Sequence, residues 1–219
     1  MIITIDGPAG AGKSSAAKEL ARRLSFEFLD TGAMYRAVTL AALRANVSLS
    51  DQAALEKVMA DFRLEMPPGR VILNNEDVTR EIRAGPITAA SGAVADSPIV
   101  RRRLGEMQRQ IAAGRNMVTE GRDQGTIIFP DAECKFFLVA DPLERARRRQ
   151  RDMAGRGEVI PWNEVLEAQE LRDSRDRQRD LAPMIPAPDA ILLDSTQLSL
   201  EQVVERMEQE VRRRIKGGN

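Results

Sequence analysis

The run Gly7-Pro8-Ala9-Gly10-Ala11-Gly12-Lys13-Ser14 fills the spacing G-x-x-x-x-G-K-[ST] at every fixed position, between the apolar segment Ile2-Ile3-Thr4-Ile5 and a helical stretch. A strand, a glycine-rich loop and a helix in that order constrain the chain strongly. The loop backbone from Gly7 to Ser15 wraps its N–H groups around an anion, and the helix adds its positive end. Lys13 supplies a mobile charge for the β and γ oxygens, and Ser14 a hydroxyl for Mg²⁺. These residues predict a nucleoside-triphosphate site.

The chain has 219 residues, 42% of them hydrophobic and 30% charged, enough to bury a sizeable core in one main domain with inserted lobes. Lys+Arg and Asp+Glu both number 33, so no overall charge draws the protein to nucleic acid or to a membrane surface. The single Cys134 excludes an internal disulfide, and no apolar run reaches the length of a membrane span. The first residues read as a strand and not as a signal peptide, so a cytoplasmic location is expected, and separately a monomer. Histidine is absent, which removes the usual general base, the commonest metal ligand and every Ser-His-Asp scheme. Phosphoryl transfer tolerates that restriction, because it asks mainly for in-line placement and cations around the moving group.

Apolar β-branched segments alternate with amphipathic helical patterns. Ile2–Ile5, Phe26–Leu29, Met117–Thr119, Phe136–Val139 and Ile191–Leu193 read as five buried parallel strands. Helical patterns cover Lys13–Leu24, Ala33–Ala45, Val100–Ala113, Pro142–Asp152, Trp162–Arg179 and Leu200–Ile215. The implied fold is α/β in three layers, with ligands at the carboxyl ends of the strands. Asp6-Gly7, Asp30-Thr31 and Glu120-Gly121-Arg122-Asp123 all fall there. Residues 46–99 interrupt the alternation with a helix over Asp51–Ala60 and a β-hairpin around Pro67-Pro68-Gly69, and read as an inserted lobe. Residues 153–161 carry Gly155, Gly157 and Pro161 between two Arg-rich helices, the composition of a mobile lid. Residues 1–45, 100–152 and 162–219 then form the core, with the last few residues frayed.

Four further segments carry a family resemblance. They are Leu29-Asp30-Thr31-Gly32-Ala33-Met34-Tyr35-Arg36, Glu120-Gly121-Arg122-Asp123-Gln124-Gly125-Thr126, Phe129-Pro130-Asp131-Ala132 and Arg175-Asp176-Arg177-Gln178-Arg179. Together with the phosphate loop the chain resembles the bacterial cytidylate kinases, from Ile2 to about the final helix. The resemblance implies a P-loop nucleoside-monophosphate-kinase fold with an inserted acceptor-binding lobe and a short lid. It also implies transfer of the γ-phosphoryl group of ATP to CMP or dCMP, with Mg²⁺ as cofactor.

Carried over residue by residue, the resemblance gives Thr31 and Arg36 contacts to the acceptor nucleotide, although Thr31 also reads as a plain helix N-cap. Arg122 would bind the acceptor phosphate and Asp123 the cytosine edge; an Arg122–Asp123 ion pair is the structural alternative. Glu120 and Asp30 are equal candidates for holding a Mg²⁺ water. The family's serine for the exocyclic amine falls here on Gly92, with Ser91 beside it, and Arg101 takes the second base contact unless Arg101-Arg102-Arg103 is a solvated helix start. In Arg172-Asp173-Ser174-Arg175-Asp176-Arg177-Gln178-Arg179, Arg172, Arg175 and Arg179 share one helical face. Asp176 would hold the ribose and Arg179 the acceptor phosphate, unless the segment is an exposed, salt-bridged face. Arg145, Arg148 and Arg149 join Arg172 and Arg175 as arginines around the transferring group, and Arg148 as an ATP contact. A same-fold kinase for UMP, dTMP or a small alcohol is the alternative, followed by a non-catalytic nucleotide-binding regulator. A GTPase switch would need an N-K-x-D motif, which is absent.

Overall fold

The opening apolar run forms β1 (Ile2–Asp6), and the glycine-rich loop leads into α1 (Lys13–Leu24). β2 (Glu27–Asp30), α2 (Thr31–Arg44) and α3 (Gln52–Ala60) follow, then three short strands, β3 (Leu64–Glu65), β4 (Ile72–Leu73) and β5 (Glu76–Asp77). Next come α4 (Gly85–Ala95), α5 (Pro98–Ala112), β6 (Met117–Glu120) and β7 (Cys134–Val139). The chain ends with α6 (Pro142–Ala154), α7 (Trp162–Gln178), β8 (Ile191–Asp194) and α8 (Leu200–Gly217). The computed structural model describes residues 1–155 and 157–217; Arg156 of the expected lid and the last two residues of the expected frayed tail lie outside the described residues.

The chain divides into two compact units, Met1–Phe28 with Gly114–Asn219, and Leu29–Ala113. The main sheet has the order β2-β6-β1-β7-β8, with β1 parallel to both β6 and β7 and β7 parallel to β8, and β6, β1, β7 and β8 lie wholly in the first unit. This is the expected five-stranded α/β architecture. Ile3, Ile5, Phe136 and Leu138 leave the sheet into a core shared with Ala16, Ala17, Leu20 and Ala21 of α1 and Val203, Val204, Met207 and Val211 of α8. The alanines let α1 lie close to the strands, so the loop before it is seated on a rigid base. The two ends of α8 do not reach that core. Leu200 and Ile215 are 47% and 48% exposed, because the helix outruns the sheet it covers. Trp162, at the start of α7, is half exposed. Cys134 is buried, and burial pushes its thiol up to about 11, in keeping with inert packing.

In the second unit Met34, Ala37 and Val38 of α2, Leu55 and Met59 of α3, Val94 of α4 and Val100 and Leu104 of α5 form the interior. The expected hairpin is here a three-stranded antiparallel sheet, β3-β4-β5. The added strand follows from Asn74 and Asn75, whose φ values of 47° and 69° suit the tight two-residue turn that matches strand twist. Nothing apolar marks Glu76 and Asp77 as a strand, and both are exposed.

Five of the described helices begin on a side chain that satisfies their free N–H groups; at α8, Ser199 Oγ accepts from Gln202. Asp30 accepts from Ala33, Asp51 from Ala54, Ser97 from Val100, and Asp141 from Leu143 and Glu144. Asp30 is therefore the N-cap of α2 and Thr31 its first helical residue, which corrects the capping role considered for Thr31. Replacing the fully buried Leu20 by Ala should lower unfolding stability by about 3 kcal/mol, since the α1–sheet contact cannot close over the cavity. Chemical denaturation with an unchanged m-value would check this.

Candidate active site

The phosphate loop adopts a conformation that glycine permits. Gly7, Gly10 and Gly12 have φ of 139°, 76° and 94°, and a Cβ at Gly7 would collide with the Leu138 carbonyl. Gly12 is the N-cap of α1, in the left-handed region, and no side chain caps the helix. Its first N–H groups and positive end are thus left for an anion, unlike those of α2, α3, α5 and α6. The Lys13 ammonium is buried and donates to the Pro8 carbonyl at 2.7 Å. Burial lowers its pKa to about 7, with the like charges of Arg122 and Arg172 adding to the shift and Glu120 and Asp6 opposing it. Ser14 Oγ donates to Glu120 Oε1 at 2.8 Å. Of the two carboxylates considered beside the metal, Glu120 therefore adjoins the Ser14 hydroxyl. Asp30 caps α2 and lies 3.5 Å from Arg36 and 3.8 Å from Arg83.

The end of α7 gathers charge next to this loop. Asp176 Oδ2 accepts from Arg122 Nε at 2.9 Å, and Oδ1 from Arg179 Nη2 at 2.6 Å. The bonded partner of Arg122 is Asp176, and the Arg122–Asp123 pair considered above gives way to it. Burial would raise the Asp176 pKa, but Arg122, Arg179 and Arg172 outweigh it and hold the carboxyl below its ordinary value. One carboxylate thus aims two guanidinium groups. Arg122 and Arg172 also act electrostatically on Lys13, so these cations share one neighbourhood. Arg175 lies exposed on α7, outside the pairs that join Asp176 to Arg122 and Arg179.

Two of the arginines expected around the transferring group have structural partners. Arg148 donates to Glu144 Oε1, Ser195 Oγ and the Ser195 carbonyl at 3.0, 3.0 and 2.7 Å. It lines a cleft of about 680 Å³ with Arg147, Thr196, Gln197 and Leu198. Arg145, foreseen around the transferring group, is instead buried against Asp173 and the Ala9 carbonyl.

One buried carboxylate had no role in the sequence reading. Asp6 accepts from the backbone N–H of Gln124 at 2.9 Å and of Gly125 at 2.7 Å. Burial pushes its pKa up to about 7 although those two N–H groups oppose the rise. It thereby fastens the Gln124–Ile128 π-turn, and with it Arg122 and Asp123, to the start of the phosphate loop. A lone Asp ending a strand gives no sequence sign of such a long-range partner.

The second unit holds the remaining candidates on packed helices. Arg36, on α2, leans back over Gly32, whose absent Cβ would lie 3.0 Å from Arg36 Nη1, and among the described residues its buried Nε has no hydrogen-bond partner. An unsatisfied buried guanidinium N–H suits an anionic ligand. Arg101, on α5, donates to the Ala95 carbonyl at 3.0 Å and stands 5.9 Å over the Tyr35 ring. It is buried, not a solvated helix start. Ser91, on α4, is buried and donates to the Thr88 carbonyl at 2.8 Å. Thr31 is buried at the start of α2.

The lowered pKa of Lys13 gives a signed prediction. With its pKa lowered to about 7, Lys13 is expected to be mostly neutral in the free protein well above that pH and to regain its proton beside a bound polyphosphate. Polyphosphate binding at pH 8.5 should therefore take up close to one proton, and affinity should fall as pH rises from 7 towards 10. Calorimetry in two buffers of different ionisation enthalpy measures this, and Lys13→Arg should abolish the uptake.

The sequence model of the family described as cytidylate kinase matches residues 3–213. Curated relatives named cytidylate kinase are 48% identical over 207 residues in Rhodopirellula baltica, covering 94% of this chain and 90% of the relative. The corresponding values are 46% over 215 residues in Caldanaerobacter subterraneus subsp. tengcongensis (98% and 96%) and 45% over 217 residues in Geobacillus kaustophilus (97% and 97%). Among solved structures, an uncharacterized protein from Eubacterium ventriosum shares the fold, with a TM-score of 0.53 at 14% identity over 96% of this chain and 98% of that one. The phosphate loop, the cations gathered by Asp176 and the match along nearly the whole sequence lead to one assignment: the chain belongs to the cytidylate kinase family.

Proposed function

We propose that this protein transfers the γ-phosphoryl group of ATP to CMP and dCMP, giving ADP and the nucleoside diphosphate. The observation that carries the proposal is the set of cations on the first unit: Lys13, Arg122, Arg172 and Arg179 beside an uncapped helix start, with Asp176 aiming two of them. A largely dissociative phosphoryl transfer needs placed positive charge more than a base, and this chain has no histidine.

On this reading the N–H groups from Gly7 to Ser15 and the Lys13 ammonium hold the ATP phosphates. Arg148 and the cleft it lines serve the donor nucleoside. Arg122, Arg172 and Arg179 serve the acceptor phosphate, and Arg175 is kept for the moment of closure. Thr31, Arg36, Ser91, Arg101, Asp123 and Asp176 serve the rest of the acceptor. The Ser14 hydroxyl and Glu120 carboxylate fit Mg²⁺, a hard cation that takes its other ligands from phosphates and water. Among the described residues no cluster of three or more Asp, Glu, His or Cys could hold a metal alone. When bound, Mg²⁺ neutralises developing charge on the phosphoryl oxygens. Residues 153–161 act as the lid that excludes water from the transferring group. No described helix is long and apolar enough to cross a membrane, and a cytoplasmic monomer remains our reading.

Ser91 supplies a reason for choosing cytosine. Its proton is committed to the Thr88 carbonyl, so towards a base its oxygen can only accept. It suits the exocyclic amine of cytosine and opposes the carbonyl at the same place in uracil. It thus offers the contact that Gly92 cannot.

Purified protein given ATP, Mg²⁺ and CMP, dCMP, UMP, dTMP or a small alcohol in turn tests the assignment, with CMP and dCMP expected as the best acceptors. Arg122→Ala and Arg179→Ala should each lower kcat/KM for CMP at least about tenfold, since a charge-assisted hydrogen bond contributes roughly 1.5–3 kcal/mol. Ser91→Ala should reduce the CMP-to-UMP ratio of kcat/KM by about tenfold while leaving the KM for ATP alone. Parent-like ratios in that variant would remove Ser91 from base selection.

A further inference from the structure

The buried face of α7 is polar. Val165, Gln169, Asp173 and Asp176 are its buried residues, and Asp173 is 0% exposed. Asp176 belongs to the cation cluster described above, whereas Asp173 and Gln169 have no part in it. Asp173 Oδ1 accepts the Ala9 N–H of the phosphate loop at 3.2 Å, and its Oδ2 is paired with Arg145 Nη1. The same Nη1 donates to the Ala9 carbonyl at 2.9 Å, while Arg145 Nε donates to the Ala140 carbonyl at 3.1 Å. Both polar groups of the Ala9 residue are therefore held by one buried ion pair. The next residue is boxed in as well, since a Cβ at Gly10 would lie 2.7 Å from Gln169 Nε2 and 3.1 Å from the Arg145 carbonyl.

Burying a charged pair carries a desolvation cost that often equals its attraction, so such a pair is weak support for stability and could be replaced by apolar side chains. Its geometry is specific all the same. The carboxylate and guanidinium come from the two helices that flank residues 155–161, and both close on the phosphate loop at Ala9, between β1 and α1. We propose that Asp173 and Arg145 are positioning residues that fix the phosphate loop at Ala9–Gly10 in the form that receives the triphosphate, and that they tie this form to α6 and α7. Neither residue need touch a substrate.

The proposal rests on the reading of the loop as an ATP site, and ATP binding measured without acceptor keeps the two apart. Parent protein that fails to bind ATP at all overturns both. Asp173→Asn keeps an acceptor for the Ala9 N–H but strands the Arg145 charge. The double variant Arg145→Met with Asp173→Leu removes both charges and preserves volume. The double variant is expected to keep its Tm within a few degrees of the parent, as apolar replacement of a buried pair allows. Its Kd for ATP should nonetheless rise about tenfold, with the Kd for CMP alone unchanged within about twofold, and Asp173→Asn should show the same split. A double variant that binds ATP as tightly as the parent overturns the proposal. Equal weakening of ATP and CMP, or failure of both variants to fold, overturns it too, because the pair would then serve only the fold.

Discussion

The bare start of α1 is the constraint on which the rest of the first unit depends. A helix whose first turn lacks a capping side chain leaves N–H donors and half a unit of positive charge unsatisfied. Here they follow a loop of glycines at positive φ, on a helix whose alanines lie tight against β1. An anion at that point meets donors that cannot move away, because the sheet and α8 hold the helix from behind. Preorganisation of this kind is what makes fixed dipoles effective in stabilising charge.

Holding the loops around that point has required burying ionisable groups, and each is handled by a nearby partner. Asp6 is clasped by two backbone N–H groups, Asp173 by Arg145 and the Ala9 N–H, and Asp176 by Arg122 and Arg179. Apart from Asp176–Arg179, three residues apart, each contact joins segments far apart in sequence. Asp6 joins the end of β1 to the turn after β6, Asp173 joins α7 to the phosphate loop, and Asp176 joins α7 to Arg122. A charge left alone in such surroundings would cost several kcal/mol, so the loops have few alternative arrangements. Lys13 is the exception, bonded to a single carbonyl, with the like charges of Arg122 and Arg172 and the opposite charges of Glu120 and Asp6 around it.

The strands and helices were legible because their signals are local. Lys13–Leu24 is the helix that the apolar spacing predicts, residue for residue, and each of the five main strands falls within two residues of its expected start. Glu76–Asp77 was not legible, since a two-residue exposed strand is defined by its partner and by the Asn74-Asn75 turn. Thr31 and Asp30 are both good caps, and only the backbone decides that Asp30 takes the place. The phosphate loop needed no structure to be read. The pairing of the arginines did, because Asp123 is adjacent to Arg122 in sequence while Asp176 is its partner in space. Arg145 looked like another phosphate arginine for the same reason; its partners, Asp173 and Ala9, are revealed only by the packing of α6 and α7. The family resemblance rested on ordered short motifs, and the match over residues 3–213 confirms it.

A single measurement bears on the central claim, that the cations of the first unit are arranged for a phosphoryl group in transfer. It is a crystal structure with a bisubstrate analogue in which adenosine and cytidine are joined through a chain of phosphates. The account predicts the terminal donor phosphates on the N–H groups at the start of α1, with Lys13, Arg122 and Arg179 all in contact with the bridging phosphates and Asp176 still bonded to both arginines. An analogue bound with those guanidinium groups turned away from its phosphates, or with the start of α1 left bare, would contradict it.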